Sequence, residues 1–135
     1  MVVYIGDYPK RRWYHRLFLW DTPERKSFIS VSRADTYSLD STLSMVISKS
    51  LRRFKEDVET RPGHPAEMTY EEWIDIIDTM IWTFEELNKD YDGPFFEEYK
   101  ESDDFKKYSK KLQEHEKKIQ NGIELFAKYY RNLWW

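Results

Sequence analysis

The stretch from Arg33 to Asp40 concentrates side chains that could bind a small ligand, and it joins a strand-like segment to a helical one. Backbone amides in the first turn of a helix lack partners and attract anions. Arg33 could add positive charge there, and the ring of Tyr37 could stack on a ligand ring. The carboxylates of Asp35 and Asp40 would oppose phosphate, so they would contact sugar hydroxyls, a base edge or a cation. In the structural alternative, Asp35 and Ser38 cap the helix and Tyr37 packs.

The C-terminal segment 126–135 is a second candidate, because five of its ten residues are aromatic. Its rings alternate with Lys128 and Arg131, a combination that suits stacking on a nucleobase while neutralising a phosphate. Packing in a core or a subunit interface is the alternative, and it is favoured for Phe126, Tyr130 and Leu133. Both interpretations stay open for Tyr129, Arg131 and Trp134. The predicted ligand-binding residues of the two segments are Arg33, Asp35, Tyr37, Asp40, Lys128, Tyr129, Arg131 and Trp134.

Acidic side chains of the segment 69–90 suggest a metal site. The candidate magnesium ligands are Glu71, Asp75, Asp78 and Glu85. Nucleotide pyrophosphohydrolases of the all-α class hold Mg²⁺ with carboxylates spaced i, i+3 or i+4 on facing helices. The facing helix here offers only Asp40, so a solvated acidic face is favoured. The histidines have no i, i+4 pairing and no nucleophile elbow supports a triad. No catalytic residue, metal or cofactor is predicted, and a non-enzymatic role is favoured over an enzyme.

The composition limits the classes of protein to which this chain can belong. Its 135 residues suffice for one domain, and the lack of cysteine excludes disulfides, thiolate catalysis and Cys-based metal sites. No apolar run approaches the roughly 18 residues of a membrane span, and no signal peptide is recognised. Residues 1–55 carry 11 Lys and Arg against 5 Asp and Glu, whereas residues 56–135 carry 11 against 20. General DNA binding is not expected, because the net charge of −3 would repel phosphate.

The elements that must position the candidate residues follow from hydrophobic periodicity. We predict an α+β, mainly α fold in which short N-terminal β-strands pack on three helices, the C-terminal one long. The predicted boundaries are a single domain 1–135, a small β region 1–34, and helices at 38–58, 69–90 and 103–132. Within the β region, 2–5 and 27–33 are predicted strands, while 13–20 could be a strand or a short helix.

Three local signals refine the helices. Thr69 and Glu72 have the spacing of a capping box at the start of the second helix. The Asp92-Gly93-Pro94 sequence is predicted to stop that helix, and 95–99 to add one helical turn. Gly122 lies inside the third helix, where it costs about 1 kcal/mol relative to alanine. A close helix crossing at this glycine would explain its presence.

The third predicted helix carries two lines of residues at a spacing of seven. One line is Phe105, Leu112, Ile119, Phe126 and Leu133, and the other is Tyr108, His115, Gly122 and Tyr129. Such a seam predicts sustained packing against another helix, either within the chain or from a second subunit. Because the seam and the aromatic C-terminus together exceed what one small domain is expected to bury, a homo-oligomer is predicted.

Several motifs resemble a family of small proteins from tailed bacteriophages. They are DTYSLDSTL at 35–43, KE at 55–56, MIWTFE at 80–85 and IQNGIELFAKYYRNLW at 119–134. The chain departs from the family at Tyr37, where members often have Trp, and at Trp135, where they often have Asp. The resemblance implies a viral origin and the host-cell cytoplasm as the setting, but it implies no reaction, since no activity is established for the family.

Small phage proteins without catalytic motifs are commonly binders. By analogy, the sequence suggests an accessory protein that binds a nucleotide-type ligand, such as a counter-defence sponge that sequesters a nucleotide-derived immune signal. The alternatives are an inhibitor of a bacterial defence protein or a virion-assembly factor, and a Mg²⁺-dependent nucleotide pyrophosphohydrolase. No membrane partner is predicted.

Overall fold

The computed structural model describes residues 1–6, 25–89, 92–102 and 104–134. The chain divides into two compact units, residues 1–39 and 40–135, which are presented separately below. The ambiguous segment 13–20 lies outside the described residues, and the single-domain assignment stays a prediction.

Unit 1 contains a two-stranded antiparallel sheet. Strand β1 (Val2–Ile5) pairs with strand β2 (Ser27–Ser30), with Val2 opposite Ser30 and Ile5 opposite Ser27. The predicted strand 2–5 is confirmed, and the one predicted at 27–33 ends at Ser30. A 3₁₀ turn, Ala34–Thr36, follows.

The described part of the chain contains four α-helices, which from Asp40 onward belong to unit 2. They are α1 (Leu39–Thr60), α2 (Tyr70–Glu86), α3 (Asp92–Ser102) and α4 (Phe105–Tyr129), and a 3₁₀ turn (Tyr130–Asn132) follows α4. The mainly helical class with short N-terminal strands and a long C-terminal helix is confirmed.

The helix α3 is longer than the single turn expected at 95–99. Asp92, Gly93 and Pro94 lie in its first turn, whereas they were expected to end the preceding helix, which stops at Glu86. Proline is tolerated in a first helical turn because the amide it lacks would have no intrahelical partner. The same residues can therefore terminate one helix or begin the next.

Side-chain pairs define how the helices of unit 2 run. Ser41 Oγ donates to Asn88 Oδ1 over 3.2 Å and Lys55 Nζ lies 2.7 Å from Asp78, so α1 and α2 are antiparallel. Along α4, α2 covers the C-terminal half and α3 the N-terminal half. The 25 residues of α4 extend for roughly 37 Å, long enough to support both.

The seam of α4 is buried by helices of the same chain. Ile119, Gly122 and Tyr129 are buried. Trp73 and Tyr129 meet edge to face with ring centroids 5.6 Å apart, and Tyr99 lies 5.3 Å from Tyr108. Helix packing along this seam is thus present within the chain, where α2 and α3 cover most of it, although Phe105 is exposed and Phe126 and Leu133 are only half-buried.

The core of unit 2 centres on α2. Its buried side chains are Trp73, Ile77, Met80, Ile81, Thr83 and Phe84, and residues of α1 and α4 join them. The predicted capping box is present: Thr69 Oγ1 accepts from the Glu72 amide over 3.2 Å, and the Glu72 carboxylate accepts from the Thr69 amide over 2.8 Å. Two amides that the helix leaves unpaired are thereby satisfied.

Candidate functional site

The strand–helix junction is organised by the carboxylate of Asp35. It accepts from the Ser32 amide over 2.6 Å, from the Ser32 hydroxyl over 2.7 Å and from the terminal ammonium of Met1 over 2.5 Å. These bonds hold β1 and the 3₁₀ turn of unit 1 together. Asp35 therefore has a structural role, as the alternative to ligand binding expected, although its carboxylate binds Ser32 and the Met1 ammonium instead of capping α1.

The other predicted residues of the junction face solvent. Arg33 and Asp40 are exposed, and 78% of Tyr37 is accessible. The structural alternative had expected Tyr37 to pack, but it does not. Its ring face is available within unit 1. Asp40 lies in the first turn of α1, where its negative charge interacts favourably with the positive end of the helix dipole and stabilises the helix.

The hydrogen bonds of Asp35 lower its pKa to about 2, chiefly because the Met1 ammonium donates to the carboxylate and secondarily because Ser32 does. A carboxyl whose pKa is lowered on folding stabilises the folded state in its charged form. This contribution is complete above the ordinary pKa of 3.8 and disappears as the pH falls through about 2.

Replacing Ser32 with alanine is expected to raise the pKa of Asp35 above 2, toward 3.8, because one of its donors is lost while the Met1 ammonium and the Ser32 amide remain. An NMR titration of the Asp35 carboxyl carbon measures the shift directly. Ser30→Ala in β2 is the control and should leave the titration of Asp35 unchanged. Identical curves for both variants would show that Ser32 does not hold this carboxylate.

The C-terminal candidates have two different environments. Tyr129 is buried, with 7% exposure, against Trp73 of α2, and Lys128 Nζ lies 4.8 Å from the centroid of its ring. Stacking of Tyr129 on a ligand would require its ring to leave the core. Tyr130, expected in a core or interface, is 65% exposed and leans edge-on against Phe126 at 5.6 Å.

Arg131 and Trp134 are the accessible members of the C-terminal set. Arg131 lies in the 3₁₀ turn, and Trp134 follows it with 73% of its surface exposed. Trp134 also borders a cleft of about 140 Å³, whose lining is Gly63, His64, Pro65, Trp73, Asn132 and Trp134. The sequence also suggests that the segments 33–40 and 126–135 enclose one shared ligand cleft, and this stays a prediction.

Two acidic side chains of α2 form ion pairs with α1. Lys55 binds Asp78, which raises the pKa of that lysine, and Arg52 binds Glu85, which lowers the pKa of that carboxyl. Among the described residues, no group of three or more His, Asp or Glu side chains could hold a metal ion. Two of the candidate magnesium ligands, Asp78 and Glu85, thus serve the contact between α1 and α2.

Sequence reasoning did not identify a groove between α1 and the C-terminal end of α4. Its volume is about 380 Å³, and its lining is Val46, Ile47, Ser50, Leu51, Phe54, Phe126, Tyr130 and Leu133. The apolar residues of α1 have the spacing of one amphipathic stripe, but Ser44 and Ser48 are buried with Leu51 and Val58, whereas Leu39 and Leu43 are exposed. Ser44, Ser48, Leu51 and Val58 follow one another at four, three and seven residues and so share one helix face, which was the available signal that the buried face is rotated away from the exposed apolar residues.

No protein-family model, curated protein or solved structure shows significant similarity to this chain. Among the described residues, no helix combines the length and the apolar character that a membrane span requires.

Proposed function

We propose that this chain is a phage accessory protein that acts by binding a nucleotide-type ligand in the host-cell cytoplasm, in the manner of a counter-defence sponge. The phage setting comes from the motif resemblance. The observation that carries the binding proposal is the exposure of both Trp134 and Arg131, which are three residues apart in the sequence. Among the described residues, Arg131 forms no ion pair, so its charge is available to a phosphate.

The ligand would lie on the surface of the ring. The cleft beside Trp134 measures about 140 Å³, below the roughly 300 Å³ at which ligand pockets begin. Base stacking on an exposed aromatic ring needs no enclosing cavity and tolerates any base. Lys128 lies in the same C-terminal segment, and His64 lines the cleft. Both could supply further polar contacts.

Thermal shift with cyclic dinucleotides, cyclic ADP-ribose isomers and ordinary nucleotides, with and without Mg²⁺, tests the proposal. A ligand that stabilises the protein and is recovered unchanged supports sequestration. Turnover that EDTA abolishes would instead support a hydrolase. If no compound shifts the transition, nucleotide binding is rejected.

For a ligand found in this way, Trp134→Ala is expected to weaken binding about five- to 150-fold, because stacking contributes about 1–3 kcal/mol per base. Isothermal titration calorimetry measures the change. Phe105→Ala removes another exposed aromatic ring, at the opposite end of α4, and should leave the affinity intact. Equal effects of the two substitutions would rule out Trp134 as the stacking residue.

Binding to a protein, as an inhibitor of a defence protein or as an assembly factor, is the second candidate function. The apolar groove between α1 and the end of α4 favours it, because a groove lined by Ile47, Phe54 and Phe126 resembles the surfaces that bury apolar side chains of a partner.

A further inference from the structure

We infer that the groove between α1 and the C-terminal end of α4 binds an amphipathic α-helix of a partner protein whose apolar face is bordered by acidic residues. This inference rests on the second candidate function; it shares Arg131 with the proposed nucleotide site but makes no use of Trp134. It follows from the shape of the groove, its chemistry and the charges at its rim.

The shape of the groove matches a helix. One wall is α1, where Val46, Ser50 and Phe54 repeat at four residues, and Leu43, 43% exposed, continues the stripe by one turn. From Leu43 to Phe54 the wall extends for about 16 Å, or three helical turns. Phe126 and Tyr130 form the opposite wall. A helix laid between two helices in this way would complete a four-helix arrangement with α1, α2 and α4.

The chemistry of the groove explains why the occupant must be apolar on one face. Ile47, Phe54 and Leu133 are only half-buried, so each keeps apolar surface in contact with water. Covering apolar surface contributes about 25 cal/mol per Å². Ser50 lies in the centre of the wall and has a small side chain, which allows another backbone to approach closely.

The charges at the rim favour an acidic partner. Lys49 follows Val46 by three residues and therefore neighbours it on the surface of α1. Arg131 lies in the 3₁₀ turn between the groove residues Tyr130 and Leu133. Within the ranges that the structure describes, neither Lys49 nor Arg131 forms an ion pair. Each wall therefore has a cation without an ion pair next to a lining residue, and the carboxylate of Asp57, three residues after Phe54, is neutralised by Arg53.

A second copy of this chain fits the groove less well. Antiparallel pairing of two α1 helices would place Lys49, Arg52 and Arg53 of one copy near the same residues of the other, since all three lie at the middle of the helix. Arg52 and Arg53 are paired within their own chain, but Lys49 is not, so like charges would meet. The seam line Tyr108, His115, Gly122 and Tyr129 offers no further reason for a dimer, because α2 and α3 pack on it.

A displayed library of helical peptides tests the inference. Peptides of about 14 residues, or four turns, carry apolar residues at i, i+3, i+4 and i+7, with flanking positions varied among Asp, Glu, Lys, Arg and Ser. We expect selection on the full chain to enrich acidic flanks. Ser50→Glu adds bulk and a negative charge to the groove, and it should weaken an enriched peptide about tenfold or more. Gln113→Glu, on an exposed part of α4, should not.

Charge reversal at the rim provides the sharper test. The double variant Lys49→Glu/Arg131→Glu should shift the enrichment toward basic flanks, whereas Lys106→Glu/Lys117→Glu on exposed positions of α4 should not. Circular dichroism verifies that each variant is folded, and Trp134→Ala should bind the peptides normally. No enrichment, enrichment of basic flanks, binding unaffected by Ser50→Glu, or a dimer that Ser50→Glu dissociates would each overturn the inference.

Discussion

Replacing Trp73 with alanine is expected to lower the free energy of unfolding by about 3–5 kcal/mol, the range measured when a buried Trp or Phe is truncated. Trp73 is 1% exposed. Its ring meets Phe54 of α1 at 6.4 Å and Tyr129 of α4 at 5.6 Å, both edge to face. Since one side chain of α2 contacts both neighbouring helices, its loss leaves a cavity where the three helices meet.

Urea denaturation of the two variants Trp73→Ala and Trp134→Ala measures this effect with a matched control. Both lose the same side chain, but Trp134 is 73% exposed and its removal should change stability by only about 0.5 kcal/mol. A small effect at Trp73 would mean that Tyr129 is not held in the core. Its ring would then become available to a ligand, as the sequence interpretation had left open.

The parts of the fold that local chemistry determines were predictable. The Thr69–Glu72 capping box and the helical course of α2 depend on residues close in sequence, and both are present. The strand at 2–5 is present as well, because its β-prone residues find a partner in β2. The extent of α3 was not predictable from its own sequence, because its apolar side chains are stabilised by α4. Phe95, for example, meets the ring of His115 at 5.2 Å. Such contacts join residues far apart in sequence, so the eleven residues of α3 alone show no hydrophobic periodicity that reveals the extent of the helix.

The candidate site shows a similar division. Sequence reasoning identified Trp134 and Arg131 as unusual, and both are exposed. It favoured packing for Tyr130 and left Tyr129 open, whereas Tyr129 is buried and Tyr130 is 65% exposed. Adjacent helical residues differ by about 100° in direction, so a small error in the orientation of the helix exchanges their environments. The groove was missed for a related reason. A stripe of apolar residues shows that a helix has a face to bury, but not whether a neighbour covers all of it.

Gly122→Ala is expected to destabilise unit 2 by about 3 kcal/mol, at the upper end of the range for overpacking. A Cβ at this position would lie 1.8 Å from Thr83 Oγ1 and 2.7 Å from Thr83 Cβ. Thr83 is fully buried on α2, so its side chain has no space into which it can move. The helices would have to separate, which outweighs the roughly 1 kcal/mol of helix propensity that alanine contributes. Chemical denaturation measures the net loss.

Exchanging the glycine between the two helices tests whether contact with Thr83 is the cause. In Thr83→Gly/Gly122→Ala the threonine side chain that would collide is gone, and Thr83 Oγ1 has no hydrogen-bond partner among the described residues to lose. The double variant should therefore be more stable than the sum of the single changes predicts, with a coupling of about 2 kcal/mol. Gly63→Ala, where the nearest atom is 3.9 Å away, should be nearly neutral. Additive effects at Thr83 and Gly122 would instead show that the two helices do not cross there, and that the glycine found inside α4 has another cause.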